Sequence, residues 1–149
     1  MDKKYCYDYP RPAVTVDVVA VAGTSYEDAR ILLIKRMKPP FQDMWALPGG
    51  FAEMDEDIET TAVRELEEET GLSGVEVYQI GAFGKVGRDP RHRTITVAFL
   101  SCLEATAEVE GNDDASDARW FSANDLPDLA FDHADILKQG MNLWRSMKR

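Results

Sequence analysis

Between Gly50 and Leu72 the chain reads Gly-Phe-Ala-Glu-Met-Asp-Glu-Asp-Ile-Glu-Thr-Thr-Ala-Val-Arg-Glu-Leu-Glu-Glu-Glu-Thr-Gly-Leu, and no other stretch restricts its fold so tightly. Two glycines, Gly49 and Gly50, open a loop, and the spacing predicts a helix from about Asp57 until Gly71 stops it. At ~100° per residue, Glu65, Glu68 and Glu69 share one face of that helix. Ala62, Val63 and Leu66 form a narrow apolar stripe beside them that docks the helix on a core. Glu59 falls inside the stripe, but in the first turn, near water and the favourable end of the dipole. Gly71 suits the left-handed position after the last turn, and Leu72 then packs back on the helix.

Like charges three and four residues apart cost a helix roughly 0.2–0.5 kcal/mol per pair, and anions near its C-terminal end oppose the dipole. Two explanations fit such a cluster: a solvated acidic face, or a ligand that compensates the charge, for which a hard cation such as magnesium is suited. The surrounding spacing favours the second. Gly50, Glu56, Arg64-Glu65-Leu66, Glu68-Glu69 and Gly71-Leu72 resemble the signature of the Nudix family, G-x5-E-x7-R-E-U-x-E-E-x-G-U with U aliphatic, at every specified position. Trp45-Ala-Leu-Pro-Gly-Gly also resembles the family's usual lead-in.

A chain of 149 residues, 44% hydrophobic, is long enough for one well-cored domain and short for two, so residues 1–149 are read as one domain. Its formal net charge of −10 argues against nonspecific attraction to nucleic acid or to an anionic membrane. Cys6 and Cys102 have neither metal-ligand spacing nor a disulfide framework, which suits a reducing compartment. Without an apolar signal core or an eighteen-residue apolar run, a cytoplasmic location is expected.

Along the chain, Ala13–Ala22 and Arg30–Lys35 read as paired strands, and Trp45–Leu47 adds a short one. Val75–Phe83 and Thr94–Leu103 read as a hairpin around a long loop holding Arg88, Arg91 and Arg93. Glu104–Asp117 is a surface loop, Ala118–Phe121 a last short strand, and Phe131–Met147 a helix weakened at Gly140. The order suggests an α/β (α+β) fold, an α/β/α sandwich around a mixed sheet, as the Nudix resemblance also implies.

The resemblance implies hydrolysis of a phosphoanhydride with Mg2+, or Mn2+, as cofactor. The ion would be held by Glu65, Glu68, Glu69 and the carbonyl of Gly49, neutralising phosphate oxygens and acidifying water. Glu56 either binds a second metal or pairs with Arg64, and Arg64 is read as an organiser. The general base stays open among Glu68, Asp113 and Asp114, or no dedicated residue. Arg88, Arg91 and Arg93 are candidate phosphate forks in an acidic chain, or else a solvated hairpin tip. Phe51, Tyr9 and Phe83 are candidates to stack on a base, Asp114 is placed with the substrate contacts, and His92 and His133 are read as bystanders.

Arg88-Asp-Pro-Arg91 and Tyr9-Pro-Arg-Pro-Ala-Val-Thr-Val-Asp17 resemble the ADP-ribose pyrophosphatase branch, implying a small nucleotide substrate, ADP-ribose, cleaved to AMP and ribose 5-phosphate. The alternatives are a nucleoside triphosphate pyrophosphohydrolase, acting on oxidised nucleotides included, and a non-catalytic ADP-ribose sensor. The intact signature and a chain end soon after the last helix favour the enzyme. A homodimer is expected because related enzymes pair.

Overall fold

The run Ala13–Ala22 forms β1, and its burial explains the architecture around it. Among residues 4–148, which a computed structural model describes, it is followed by β2 (Arg30–Arg36), β3 (Trp45–Ala46), β4 (Gly49–Phe51) and α1 (Ile58–Thr70). Then come β5 (Tyr78–Phe83), β6 (Thr94–Leu103), β7 (Ala115–Ser122) and α2 (His133–Met147). Expectations for residues 1–3 and Arg149 lie outside the described residues. Side chains alternate along a strand, so Val16, Val18 and Ala20 enter one core with Ala62 and Leu66 of α1. Val19 and Val21 enter a second core with Ile136, Leu137, Met141 and Trp144 of α2. Each large aliphatic side chain buried in this way contributes roughly 1.5–3 kcal/mol. With helices on both faces, the strand is apolar almost throughout, and the expected sandwich on a mixed sheet is what the chain forms.

The sheet runs β3-β2-β1-β6-β5, with β4 also beside β1 and β7 beside β2. β1 and β6 are parallel along their full length; the other pairs are antiparallel. β1 divides its second edge between two partners. Val21 and Ala22 pair with Ile31 and Arg30 of β2, whereas Thr15, Val16 and Asp17 pair with Phe51, Gly50 and Gly49 of β4. The far end of β2 therefore diverges from β1, and a cleft opens between them.

Four boundaries differ from the sequence expectation. β5 starts at Tyr78 rather than Val75, because pairing with β6 stops at Leu100 and Val75 and Val77 pack on the α1 core instead. β7 starts at Ala115, since it follows β2 to Arg36 across a register shift. β3 ends at Ala46, because the Leu47 N–H is bound by a side chain, that of His133. α2 starts at His133, after Phe131 at a left-handed φ of 53°. Gly140 also has a reason to interrupt that helix: a Cβ there would come within 3.0–3.1 Å of Val19 and Ile80, so its absence lets α2 lie close on the sheet.

α1 follows Asp57 and ends at Gly71, whose φ of 78° and N–H bond to the Glu67 carbonyl (2.8 Å) form the expected stop. Its buried face is Thr61, Ala62, Leu66, Glu69 and Thr70; Val63, expected in that stripe, is only half-buried. Two carbonyls of the last turn, otherwise without helical donors, accept N–H bonds from the loop before β7: Thr70 from Glu110 and Glu69 from Asn112, both at 3.0 Å. That clamp brings residues 111–114 to the acidic end of the helix. Among the described residues no helix is long and apolar enough to cross a membrane.

Candidate active site

The two glycines sit where backbone must touch carboxylate. Gly49 faces Asp17 in a non-hydrogen-bonded pair of the β1–β4 ladder, so its N–H and C=O point away from β1. The N–H donates to Oε1 of Glu69 at 2.8 Å. A Cβ at Gly50 would collide with the Glu65 carboxylate, and one at Gly49 with the Val16 carbonyl.

Arg64 fixes the loop to the helix. Its guanidinium donates to both Glu56 oxygens (3.0 and 2.7 Å), to the Phe51 carbonyl (3.2 Å), to Glu65 (3.0 Å) and to Glu68 (3.1 Å). Glu56 also accepts from the Thr61 hydroxyl (2.7 Å) and the Glu53 N–H (3.1 Å). The Arg64 bonds hold the Glu56 carboxyl down to about 2, and those same bonds raise the arginine above its ordinary range. Of the two roles open for Glu56, the geometry has it paired with Arg64.

Glu65 and Glu69 are in the opposite condition. Burial pushes Glu65 up to about 7, with Glu68 and Asp113 adding to the rise and Arg64 opposing it. Glu69, 5% exposed, is pushed to about 8, chiefly by burial and further by Glu65, Asp17 and Asp114, although the Gly49 N–H opposes this. The face predicted to carry three carboxylates together is divided: Glu68 turns outward to Arg64 with its side chain 44% exposed, and does not line the cleft. Among the described residues no group of three His, Cys, Asp or Glu is gathered closely enough to hold an ion unaided. The donors nonetheless fit a hard divalent cation. Glu65, Glu69 and the outward-facing Gly49 carbonyl offer oxygen atoms at a cleft open to water and phosphate, which magnesium retains as ligands.

The cleft encloses about 440 Å3 and is lined on its other side by Arg36, Arg88, Arg91, Phe51 and Phe131. Arg88 is forked onto Asp132 (2.8 and 2.6 Å) with its side chain only 4% exposed, and Arg91 is forked onto Asp89 (3.0 and 2.8 Å). Arg91 also lies 5.6 Å from the Phe51 ring and 5.8 Å from the Phe131 ring. Asp113 and Asp114 line the cleft, with Asp114 paired to Lys38 at 3.1 Å. Arg93 is not on the wall, Phe83 lines a different groove, and Tyr9 is 80% exposed away from the cleft.

His133, expected to be a bystander, is instead buried at the floor of the cleft: Nδ1 accepts the Leu47 N–H at 3.0 Å, and Nε2 lies 3.4 Å from Asp17. Burial lowers its pKa, and with Nδ1 accepting, the neutral ring carries its proton on Nε2, towards Asp17. His92 rests on Phe51 at 5.8 Å. Sequence reasoning missed Arg36, Asp17, Phe131 and His133. Arg36 lay just past the strand expected at Arg30–Lys35, Asp17 lay inside an apolar run, Phe131 opened the expected helix, and His133 was read as a bystander within it. Only the folded topology brings them together.

Residues 11–140 match the family model of the NUDIX domain. The chain is 42% identical over 144 residues to the ADP-ribose pyrophosphatase of Methanocaldococcus jannaschii, covering 97% of this chain and 80% of that protein. It is 35% identical over 136 residues to the ADPR responsive transcriptional repressor NtrR of Acinetobacter baylyi, covering 89% of this chain but 54% of the repressor. Among solved structures, the NUDIX domain of Shewanella oneidensis NrtR complexed with ADP ribose superposes with a TM-score of 0.83 at 30% identity, over 93% of this chain and 94% of that one. A signature complete at every position, a helix that sets Glu65 and Glu69 against Gly49 and Gly50, and a family match over most of the sequence agree: the chain belongs to the Nudix family.

Proposed function

We propose that this Nudix enzyme hydrolyses ADP-ribose to AMP and ribose 5-phosphate, with a divalent cation held by Glu65, Glu69 and the Gly49 carbonyl. The observation that carries the reading is the pairing of a buried Glu69 with a half-buried Glu65, both pushed up by burial, facing an arginine-lined wall across one cleft. The extensive likeness to an ADP-ribose pyrophosphatase supports the choice of substrate. When bound, magnesium or manganese supplies neutralisation of phosphate oxygens and a more acidic water.

The chain's own groups do the rest. Arg64 holds Glu65 towards the cleft, and the Gly49 N–H fixes the rotamer of Glu69. The arginine wall binds the diphosphate and leaves its anhydride accessible from the acidic side. Water attacks one phosphorus, the bridging P–O bond breaks, and each product leaves as a phosphate monoester. Of the three candidate proton acceptors, Asp113 lines the cleft without an ion-pair partner among the described residues, Asp114 is paired, and Glu68 faces away. The attacking water's proton is assigned to Asp113.

The test is AMP release from ADP-ribose with Mg2+ or Mn2+, beside a panel of ordinary and oxidised nucleoside triphosphates. ADP-ribose is expected to lead by at least about tenfold in kcat/KM. Faster triphosphate cleavage would change the substrate class. Tight ADP-ribose binding without hydrolysis would favour the sensor, a reading to which the repressor likeness lends support. The proposal extends to a homodimer through the N-terminal segment, where Tyr5, Tyr7, Tyr9 and Val14 expose apolar surface, and sedimentation would test it. Two free cysteines, Cys6 and Cys102, suit action in the cytoplasm.

A further inference from the structure

Five cationic side chains line the cleft, and four of them are neutralised. Arg64, Arg88, Arg91 and Lys38 have carboxylate partners at 2.6–3.1 Å. Arg36 does not. Its Nε donates to the Pro40 carbonyl at 2.8 Å and a terminal nitrogen to the Lys38 carbonyl at 3.4 Å, while its guanidinium lies 4.9 Å from the Phe131 ring. Neutral carbonyls and an aromatic face orient a guanidinium without cancelling its charge. Burial and the charge of Arg91 both disfavour the ionised form, and the charges of Glu69, Asp89 and Asp17 oppose them.

The holder of this side chain is itself built. Residues 37–43 fold back on Arg36, whose backbone N–H reaches the Met44 carbonyl (2.9 Å) and whose carbonyl accepts from Asp43 (2.9 Å). Phe41 and Asp43 in this loop adopt left-handed φ values of 57° and 67°, a conformation unfavourable for non-glycine residues that persists where surrounding structure enforces it. Phe41 packs its ring against Phe131 at 4.7 Å, closing the cradle.

We infer that Arg36 is the cleft's principal anchor for a phosphate group of the substrate, held in place by the 37–43 loop. This deepens the function proposed above and rests on it for the substrate being a diphosphate. Arg88 and Arg91, forked onto aspartates, shape the wall. Arg36 supplies the charge that remains to be neutralised.

The test compares the wild type with R36Q and R36K, using inorganic pyrophosphate and AMP as probes in titration calorimetry without divalent metal, and ADP-ribose turnover with Mg2+. Glutamine can still donate to the Pro40 carbonyl but carries no charge, so it preserves the loop while removing the anchor. R36Q is expected to bind pyrophosphate, and to show a KM for ADP-ribose, on the order of 10- to 100-fold weaker, with the salt dependence of binding reduced and kcat changed much less. R36K, a point charge without a fork, is expected in between. Unchanged pyrophosphate affinity in R36Q overturns the inference, as does a loss of kcat with KM intact. Should R36Q fail to fold, R36K decides: a three- to tenfold loss supports the anchor and equal affinity refutes it. Should the wild type ignore ADP-ribose while R36Q still loses pyrophosphate, the substrate reading fails and Arg36 stands.

Discussion

Glu56, in the loop before α1, and Glu69, in its last turn, belong to one signature, yet the fold treats them oppositely. Glu56 receives a bidentate arginine, a hydroxyl and a backbone N–H, and its carboxyl is held down to about 2. Glu69 is buried with a single N–H donor, and its carboxyl is pushed to about 8. Both cannot serve the same end. A saturated carboxylate is a structural tie, whereas a buried one short of positive charge is a place for an incoming cation.

The sharpest way to break this comparison is to neutralise each in turn. Glu69→Gln retains an oxygen for the Gly49 N–H but loses the charge, and kcat/KM is expected to fall on the order of 10³-fold. Its melting temperature in EDTA at pH 8 should stay level or rise, because the removed charge was unfavourable. Glu56→Gln is expected to lose only about tenfold in kcat/KM, through loosening of Arg64. If the two losses were equal, or if Glu69→Gln unfolded the chain, the distinction would collapse.

A smaller effect separates geometry from charge. Gly50→Ala places a methyl against the Glu65 carboxylate, so displacing that group should cost about 10²-fold in activity and roughly 1–3 kcal/mol of stability. Gly74→Ala is the control: its φ of 69° makes it strained, but nothing lies within 4 Å of the added carbon, so stability should fall with turnover unchanged. Activity that followed stability in both variants would mean that the Gly50 contact is ordinary packing.

The sequence made the acidic helix legible because its information is local. Gly71, Leu72 and the glutamate spacing are a helix stop and a periodicity, and both depend on neighbours within two turns. The same locality explains why the outward turn of Glu68 was not foreseen. Three carboxylates share a helical face, but Arg64 at i−4 draws Glu68 away from the cleft, a competition between side chains that a wheel does not display. Arg36 and His133 were illegible for a different reason. Each is brought to the site by a long-range event: Arg36 by the divergence of β2 from β1, and His133 by the Leu47 N–H contact across 86 positions. A charge flanking a strand and a histidine at a helix start carry no local mark of that fate.

The finest probe of the comparison is pH, because the two environments give stability slopes of opposite sign. Glu56 releases its proton more readily in the folded chain, so its contribution is present above the ordinary carboxylate pKa of 4.5 and is lost as pH falls towards about 2. Glu65 and Glu69 take up protons more readily in the folded chain. Their contribution is complete below pH 4.5 and is lost as pH rises through about 7 and 8. In EDTA, the melting temperature is therefore expected to peak between these limits and to be lower at pH 9 than at pH 6 by roughly 5 °C or more. Saturating Mg2+ should restore most of the alkaline loss, since a cation that binds the ionised, folded site stabilises it by mass action. Glu69→Gln should flatten the alkaline limb while leaving the acid limb intact, and Glu56→Gln should do the reverse. An alkaline limb that persisted in Glu69→Gln and ignored Mg2+ would assign the slope to other groups and remove the basis for treating the two glutamates as opposites.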